Sequence, residues 1–171
     1  MQLSRENIQK IIPHDGLQIP DDAIFSLPEK IIQFGTGVLL RGLPNYFINK
    51  ANDKKIFNGR VVVVKSTNNG AVDAFEQQDG LYSTCIQGVE NGKRIEEIII
   101  NASISRVLTA TTEWNTILEC AHQPELEIIF SNTTEVGIVL NEEDRIGENP
   151  PQSFPGKVLA FLFQRYQAFE G

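Results

Sequence analysis

Four consecutive valines at positions 61–64 constrain the fold more than any other feature of this sequence. A strand with one face in water alternates apolar and polar residues, whereas the run at 60–67 (RVVVVKST) does not alternate. Unbroken β-branched runs are typical of parallel strands that are covered on both faces, because parallel strands need crossover connections that are usually helices. The valines therefore predict an α/β fold.

The rest of the chain supplies the strands and helices that such a fold needs. Strand patterns lie at 29–34, 81–87, 94–100 and 127–131, and helical patterns follow Ser4 and cover 38–50, 112–122 and 153–167. Asn91-Gly92 indicates a tight hairpin between the second and third of these strands. Residues 14–27 and 142–152 are expected to be loops. This order predicts a mostly parallel sheet flanked by helices, with an antiparallel β-hairpin insertion.

The helical pattern at 38–50 has a clear apolar stripe. Leu39, Leu43, Phe47 and Ala51 fall at helical spacing, which predicts a helix. Pro44 lies inside the pattern and either kinks the helix or marks its first regular turn.

Composition and charge exclude several classes of protein. The net charge is −7 with no cluster of Lys and Arg, which argues against a nucleic-acid binder and against a polybasic membrane-surface protein. The longest apolar run has six residues, far short of the roughly 18 needed to cross a bilayer, and the first ten residues do not resemble a signal peptide. Cys85 and Cys120 form no recognisable framework, and no metal-ligand spacing occurs. We therefore expect a cytoplasmic protein with free thiols.

A glycine pair between a predicted strand and a predicted helix is the main candidate for a binding site. In Gly35-Thr36-Gly37, the first glycine permits a tight turn and the second lets the backbone approach a pyrophosphate. The helix that follows supplies backbone N–H groups and a partial positive charge. The third glycine of the usual fingerprint is replaced by Leu40, so a purely structural turn is the alternative interpretation.

Two more segments follow predicted strands and extend this candidate site. The acidic residue that often binds the adenosine ribose is absent, and Lys65-Ser66 stands in its place. Lys65 either meets a 2′-phosphate or is a solvated strand end, so the residues alone leave NAD and NADP open. Asn132 and Thr133 follow the strand at 127–131, where ligands bind in such sheets, although a simple polar turn is the alternative.

Taken together, these segments resemble the amino-terminal part of the mannitol dehydrogenase family of polyol-specific long-chain dehydrogenases. The resemblance runs in order from Glu29 to Tyr166, through IIQFGTGVLLRG, IFNGRVVVVKST, QDGLYST, FSNTTEVGI and PPQSFPGKVLAFLFQRY. Phe34 to Gly37 and Arg41 match the cofactor loop of the family, and Thr134-Glu135 with Gly137 match its Thr-Glu-x-Gly segment. The resemblance implies a Rossmann-like domain that binds NAD.

The candidate site and the domain limits follow from this resemblance and from the motifs. Residues 1–28 are expected to be an amino-terminal extension, and 29–171 the NAD-binding, Rossmann-like domain. The candidate cofactor-binding residues are Gln33, Phe34, Gly35, Thr36, Gly37, Val38, Leu39, Arg41, Lys65, Ser66, Asn132 and Thr133.

The resemblance also implies what the complete protein does. The family transfers a hydride with NAD, which here implies a sugar-acid substrate with a keto carbon, and it carries its catalytic lysine in a Lys-x4-Asn-x2-His pattern on a carboxyl-terminal domain. That pattern is absent from this chain, so no catalytic residue is assigned and the chain is expected to be a truncated piece. Self-association through the surface exposed by truncation is then expected. The alternatives are a non-catalytic regulatory module that binds a nucleotide and a methyltransferase-like fold that binds S-adenosylmethionine.

Overall fold

The computed structural model describes residues 2–66, 75, 77–147 and 149–169. Thr67, the last residue of the predicted valine strand, lies outside the described residues. The helices are α1 (Arg5–Ile8), α2 (Val38–Gly42), α3 (Pro44–Asp53), α4 (Trp114–Cys120) and α5 (Phe154–Phe169), with a 3₁₀ helix at Asp22–Ser26. The strands are β1 (Leu17–Gln18), β2 (Glu29–Phe34), β3 (Arg60–Lys65), β4 (Tyr82–Glu90), β5 (Lys93–Asn101), β6 (Ile104–Thr109) and β7 (Ile128–Ser131).

A parallel sheet with the order β6-β3-β2-β7 forms the centre of the molecule. All four valines of β3 are buried, which confirms that this strand is covered on both faces. On one face Val62 and Val64 pack with residues of α4 and α5, and on the other Val61 and Val63 pack beside Ile48 of α3. The predicted α/β fold is therefore confirmed.

The predicted hairpin is present as a second, smaller sheet. β4 and β5 pair in antiparallel fashion, and Asn91 (φ 51°) and Gly92 (φ 75°) form the turn between them with the left-handed backbone that such turns require. β1 adds to the other edge of β5 in parallel. The prediction of a loop over 14–27 is therefore partly wrong, because β5 offers a free edge to β1 and the 3₁₀ helix buries Ile24 and Phe25 against this sheet.

The helical pattern at 38–50 divides into two helices. The break falls at Leu43, and Pro44 begins α3, where its missing N–H costs no hydrogen bond. Leu43 and Phe47 are 51% and 59% exposed, so the apolar stripe is not the face that packs on the molecule. The buried residues of α3 are three asparagines, Asn45, Asn49 and Asn52.

Strand β6 has no counterpart among the predicted elements. Its polar residues Ser105 and Arg106 interrupt the apolar run, and the Arg106 guanidinium is neutralised by two 2.9 Å hydrogen bonds to the carboxylate of Glu29. Cys85 is exposed and Cys120 is buried, and both are free thiols as expected. No helix in the described ranges is long and apolar enough to span a membrane.

Candidate functional site

The three candidate segments meet at one edge of the parallel sheet. Phe34, the last residue of β2, pairs with Val64 of β3 on one side and with Ser131 of β7 on the other. The Gly35 N–H donates to the Val64 carbonyl at 2.9 Å, and the Asn132 N–H donates to the Phe34 carbonyl at 3.2 Å. The chain leaves β2 for β3 in one direction, and β7 lies on the other side of β2. Such a reversal of strand order opens the crevice in which doubly wound sheets bind ligands.

Gly35 is required by the backbone. Its φ of +116° is unfavourable for any residue with a side chain, and a Cβ atom there would lie 2.8 Å from the Asn132 carbonyl oxygen. The tight turn expected from the sequence is therefore present, and it brings the glycine loop against the end of β7. Leu40, which replaces the third glycine of the fingerprint, is buried and close to this turn.

Gly37 differs from Gly35, because nothing in the fold requires it to be glycine. Its φ of −62° suits any residue, and a Cβ atom would meet nothing within 4 Å. It forms the N-cap of α2, whose first N–H groups have no acceptor within the helix. The loop thus presents open space beside backbone donors, which fits a phosphate group that approaches the main chain closely.

Residues before the glycine loop lie beneath it. Gln33 is fully buried, and its Nε2 donates to the Gly35 carbonyl at 2.7 Å, while its Oε1 has no hydrogen-bond partner in the described part of the chain. The ring of Phe34 is also fully buried and packs edge to face on Phe161 with the ring centroids 5.5 Å apart. These two side chains therefore support the loop from below.

Residues within and after the glycine loop differ in their exposure and contacts. Val38 and Leu39 are 73% and 60% exposed, and Thr36 is partly buried. The Arg41 guanidinium lies 5.3 Å from the ring centroid of Phe75. The backbone carbonyl of Arg41 accepts a 3.0 Å hydrogen bond from the Tyr82 hydroxyl.

The end of β3 is buried. Lys65 is only 6% exposed, so the interpretation as a solvated strand end is wrong. The Ser66 hydroxyl is also buried, and it has no hydrogen-bond partner among the described residues. This orphaned hydroxyl stands directly after the strand, where a ligand that occupies the crevice would offer it a partner.

The segment after β7 forms a compact turn beside a cleft. The Thr134 carbonyl accepts hydrogen bonds from the N–H groups of Gly137 at 2.9 Å and Ile138 at 3.2 Å. A Cβ atom at Gly137 would collide with the side chain of Thr133, so this glycine allows the turn to close. Asn132 is exposed, and Thr133 is partly buried.

A cleft of about 550 Å³ lies between this turn and α5. One wall consists of Ser131, Asn132 and Thr133, and the other is apolar, with Phe154, Val158 and Leu162 among its residues. A polar wall opposite an apolar wall suits a flat ring that carries a polar substituent. Sequence reasoning missed the contribution of α5, although Phe154, Val158 and Leu162 stand at helical spacing in the sequence.

Among the described residues, the histidines lie away from this cleft and no metal-binding cluster is present. No cluster of His, Cys, Asp or Glu side chains that could hold a metal ion occurs in the described ranges. His122 contacts Gln164 at 2.8 Å, and His14 contacts the carbonyl of Asp15 at 2.9 Å, both at exposed positions. Neither histidine is among the residues that line the cleft beside β7.

Comparison with known proteins gives a consistent picture. The family model for the Rossmann domain of mannitol dehydrogenase matches residues 29–170. The altronate oxidoreductase of Bacillus subtilis (strain 168) is 43% identical over 144 residues, which cover 84% of this chain and 30% of that protein. The altronate oxidoreductase of Halalkalibacterium halodurans is 41% identical over 142 residues, which cover 82% of this chain and 28% of that protein.

Solved structures show the same fold at lower sequence identity. A ternary complex of Pseudomonas fluorescens mannitol 2-dehydrogenase with NAD and D-mannitol aligns with a TM-score of 0.80 and 21% identity, covering 98% of this chain and 36% of that chain. A substrate-free D-sorbitol dehydrogenase aligns with a TM-score of 0.75 and 20% identity, covering 97% of this chain and 37% of that chain. The chain thus spans about 30% of the length of the curated relatives.

Proposed function

We propose that this chain, which belongs to the mannitol dehydrogenase family and matches the Rossmann domain of that family, is the NAD-binding domain of an altronate oxidoreductase, also called tagaturonate reductase. The open space at Gly37, beside the first N–H groups of α2, carries this proposal. The fold does not require this space, and a pyrophosphate would have room in it. The identity of 43% to a curated altronate oxidoreductase supports the choice of substrate class.

The twelve candidate residues divide into groups with different roles in this proposal. The backbone from Gly35 to Val38 holds the pyrophosphate, with Leu39 and Arg41 at the rim and Gln33 and Phe34 beneath. Lys65 and Ser66, at the end of β3, lie toward the adenosine half. Asn132 and Thr133, beside the cleft, lie toward the nicotinamide half. When bound, NAD supplies the hydride donor or acceptor, and the residues of this chain bind and orient it.

The domain limits and the chemistry of the whole enzyme are part of the same proposal. Residues 29–171 form the cofactor domain, and residues 1–28 form an extension that packs through Ile8, Ile24 and Phe25 against the small sheet. Hydride transfer between NADH and the keto carbon of a hexuronate needs an acid–base group within reach of the carbonyl oxygen. Residues 1–171 contain no Lys-x4-Asn-x2-His pattern. We therefore assign that step to a second, helical domain of the family.

Titration of the purified chain tests the cofactor class. Fluorescence titration with NADH should show saturable binding, with weaker binding of NADPH and none of S-adenosylmethionine. Tighter binding of S-adenosylmethionine than of NADH would contradict the proposal, and so would the absence of any NADH binding by a folded chain. Tighter binding of NADPH would leave the fold assignment intact but would overturn the choice of NAD.

A further inference from the structure

The small sheet is tied to the two helices that follow the glycine loop. Tyr82, the first residue of β4, and Asn101, the last residue of β5, are cross-strand partners at the base of the hairpin. The Tyr82 hydroxyl donates to the Arg41 carbonyl of α2 at 3.0 Å. The Asn101 amide Nδ2 donates to the Asn45 carbonyl of α3 at 3.0 Å. One cross-strand pair therefore holds the backbone of both helices.

The asparagine of this pair has a fixed orientation. Asn101 is fully buried, and its Oδ1 accepts from the Ser103 N–H at 2.9 Å and from the Ser103 hydroxyl at 2.7 Å. With its oxygen occupied in this way, its amide nitrogen is directed at α3. A second bond, from the Ala102 N–H to Oδ1 of Asn49 at 2.9 Å, adds to this attachment.

The side chain of Tyr82, the other member of this pair, is held by contacts of its ring. Its ring packs edge to face on Phe75, with the centroids 6.5 Å apart, and Phe75 in turn lies under the Arg41 guanidinium. Burial raises the pKa of Tyr82 well above its ordinary value, so the hydroxyl stays protonated and remains a donor over the physiological pH range.

These contacts act on the helix that begins at Gly37. Because α2 is only five residues long, a restraint on Arg41 near its end also restrains its start. Gln33 holds the other side of the loop through its 2.7 Å bond to the Gly35 carbonyl. The loop is thus held on both sides by side-chain hydrogen bonds, one from within the parallel sheet and one from the inserted hairpin.

We propose that Tyr82 is a positioning residue for the cofactor, and that the inserted hairpin acts through its hydroxyl to hold the glycine loop in the geometry that binds a dinucleotide pyrophosphate. This inference rests on the proposed function. It gives the hairpin a role in affinity for the cofactor, although the hairpin lies outside the parallel sheet.

Tyr82→Phe in the purified chain tests this, because it removes the hydroxyl and keeps the ring on Phe75. NADH binding should weaken by about fivefold, which corresponds to about 1 kcal/mol. Amide hydrogen exchange over residues 35–43 should accelerate by about the same factor, because the local opening of the loop becomes easier.

Ser105→Ala is the matched control. The Ser105 hydroxyl also donates a 3.0 Å bond to a backbone carbonyl, that of Val61, but at the opposite end of the parallel sheet from the glycine loop. This variant should lose a similar amount of thermal stability with no change in NADH affinity or in exchange over 35–43. A merely structural role for Tyr82 predicts that both variants behave alike.

The outcomes separate the two proposals. Unchanged NADH affinity, or unchanged amide exchange over 35–43, in a folded Tyr82→Phe variant would overturn the positioning role. The proposed function would still stand in that case, provided that the wild-type chain binds NADH. If the wild-type chain does not bind NADH, the proposed function fails, and the positioning role in cofactor binding fails with it.

Discussion

Gly35 and Gly37 are separated by one residue, yet they are glycine for different reasons. At Gly35 the positive φ and the nearby Asn132 carbonyl exclude any side chain, so the fold itself demands glycine. At Gly37 the backbone is ordinary and the space is open, so the fold would accept a side chain. A substitution at Gly37 therefore probes the ligand with little effect on the structure.

Gly37→Val should weaken NADH binding at least about tenfold, or about 1.4 kcal/mol, because a branched side chain occupies the space that the phosphates need. Gly88→Val is a suitable control, because Gly88 lies in strand β4, has open space around it and is far along the chain from the loop. The control should bind NADH normally. Fluorescence titration measures the affinity of both variants for NADH. If the two folded variants bind NADH equally well, Gly35 to Val38 is ruled out as the pyrophosphate site.

Helix α3 docks on the molecule through amide groups. Asn49 accepts from the Ala102 N–H, and Asn52 exchanges two hydrogen bonds with the backbone of Gly59, at 2.8 and 3.0 Å. These bonds satisfy backbone groups in the buried connections around β3 and β5, which would otherwise lack partners. Phe47 is exposed on the opposite side of the helix, while Ile48 packs beside Val61 and Val63 of β3.

This arrangement predicts that substitutions on the two faces of α3 change the free energy of unfolding by different amounts. Asn49→Ala should lower the free energy of unfolding by about 1–3 kcal/mol, because it leaves the buried Ala102 N–H without an acceptor. Phe47→Ala, on the exposed face, should change it by about 0.5 kcal/mol or less. Urea unfolding followed by circular dichroism measures both. A larger loss from Phe47→Ala would show that the apolar stripe is buried after all.

The molecule as a whole exposes a large amount of apolar surface. On α2, α3 and the residue between them this surface comprises Val38, Leu39, Leu43 and Phe47, and on α5 it comprises Leu159, Leu162, Phe163, Tyr166 and Phe169. Within the described ranges, β7 also forms an edge of the parallel sheet. Such surfaces are typical of interaction sites or of a tendency to associate.

We therefore expect the purified chain to associate as its concentration rises. Phe163→Glu should reduce this association, because it places a charge in the apolar face of α5. Gln167→Glu, on the same helix and also exposed, adds the same charge without removing an apolar group and serves as the control. Sedimentation velocity over a range of concentrations measures the effect. A strictly monomeric wild-type chain would contradict the prediction.

The isolated chain should bind the cofactor without catalysing hydride transfer. Residues 1–171 contain no Lys-x4-Asn-x2-His pattern, and general acid–base catalysis contributes about 10²–10⁴-fold to rates. The assay is NADH oxidation in the presence of tagaturonate, with an intact altronate oxidoreductase of the same family as the reference. Turnover within about tenfold of the reference would place the catalytic group inside residues 1–171.

Local patterns predict a large part of this fold. The valine run identifies a strand that is covered on both faces, Asn91-Gly92 identifies the hairpin turn, and the glycine loop identifies the crevice. Each of these features depends on neighbouring residues alone: on side chains that are all apolar, on a left-handed backbone at two positions, or on the conformational freedom of glycine. The family resemblance adds the cofactor, which those patterns leave open between NAD and NADP.

Other features are decided by partners that are distant in the sequence. Arg106 of strand β6 is exposed, and it pairs with Glu29, 77 residues away. Helix α3 buries asparagines in place of its apolar stripe because the backbone at Ala102 offers a donor that a leucine would leave unsatisfied. Tyr82 reaches α2 across 41 residues. The sequence around each of these residues contains no sign of its partner, since the hydrogen bond forms only when the fold brings the two groups together.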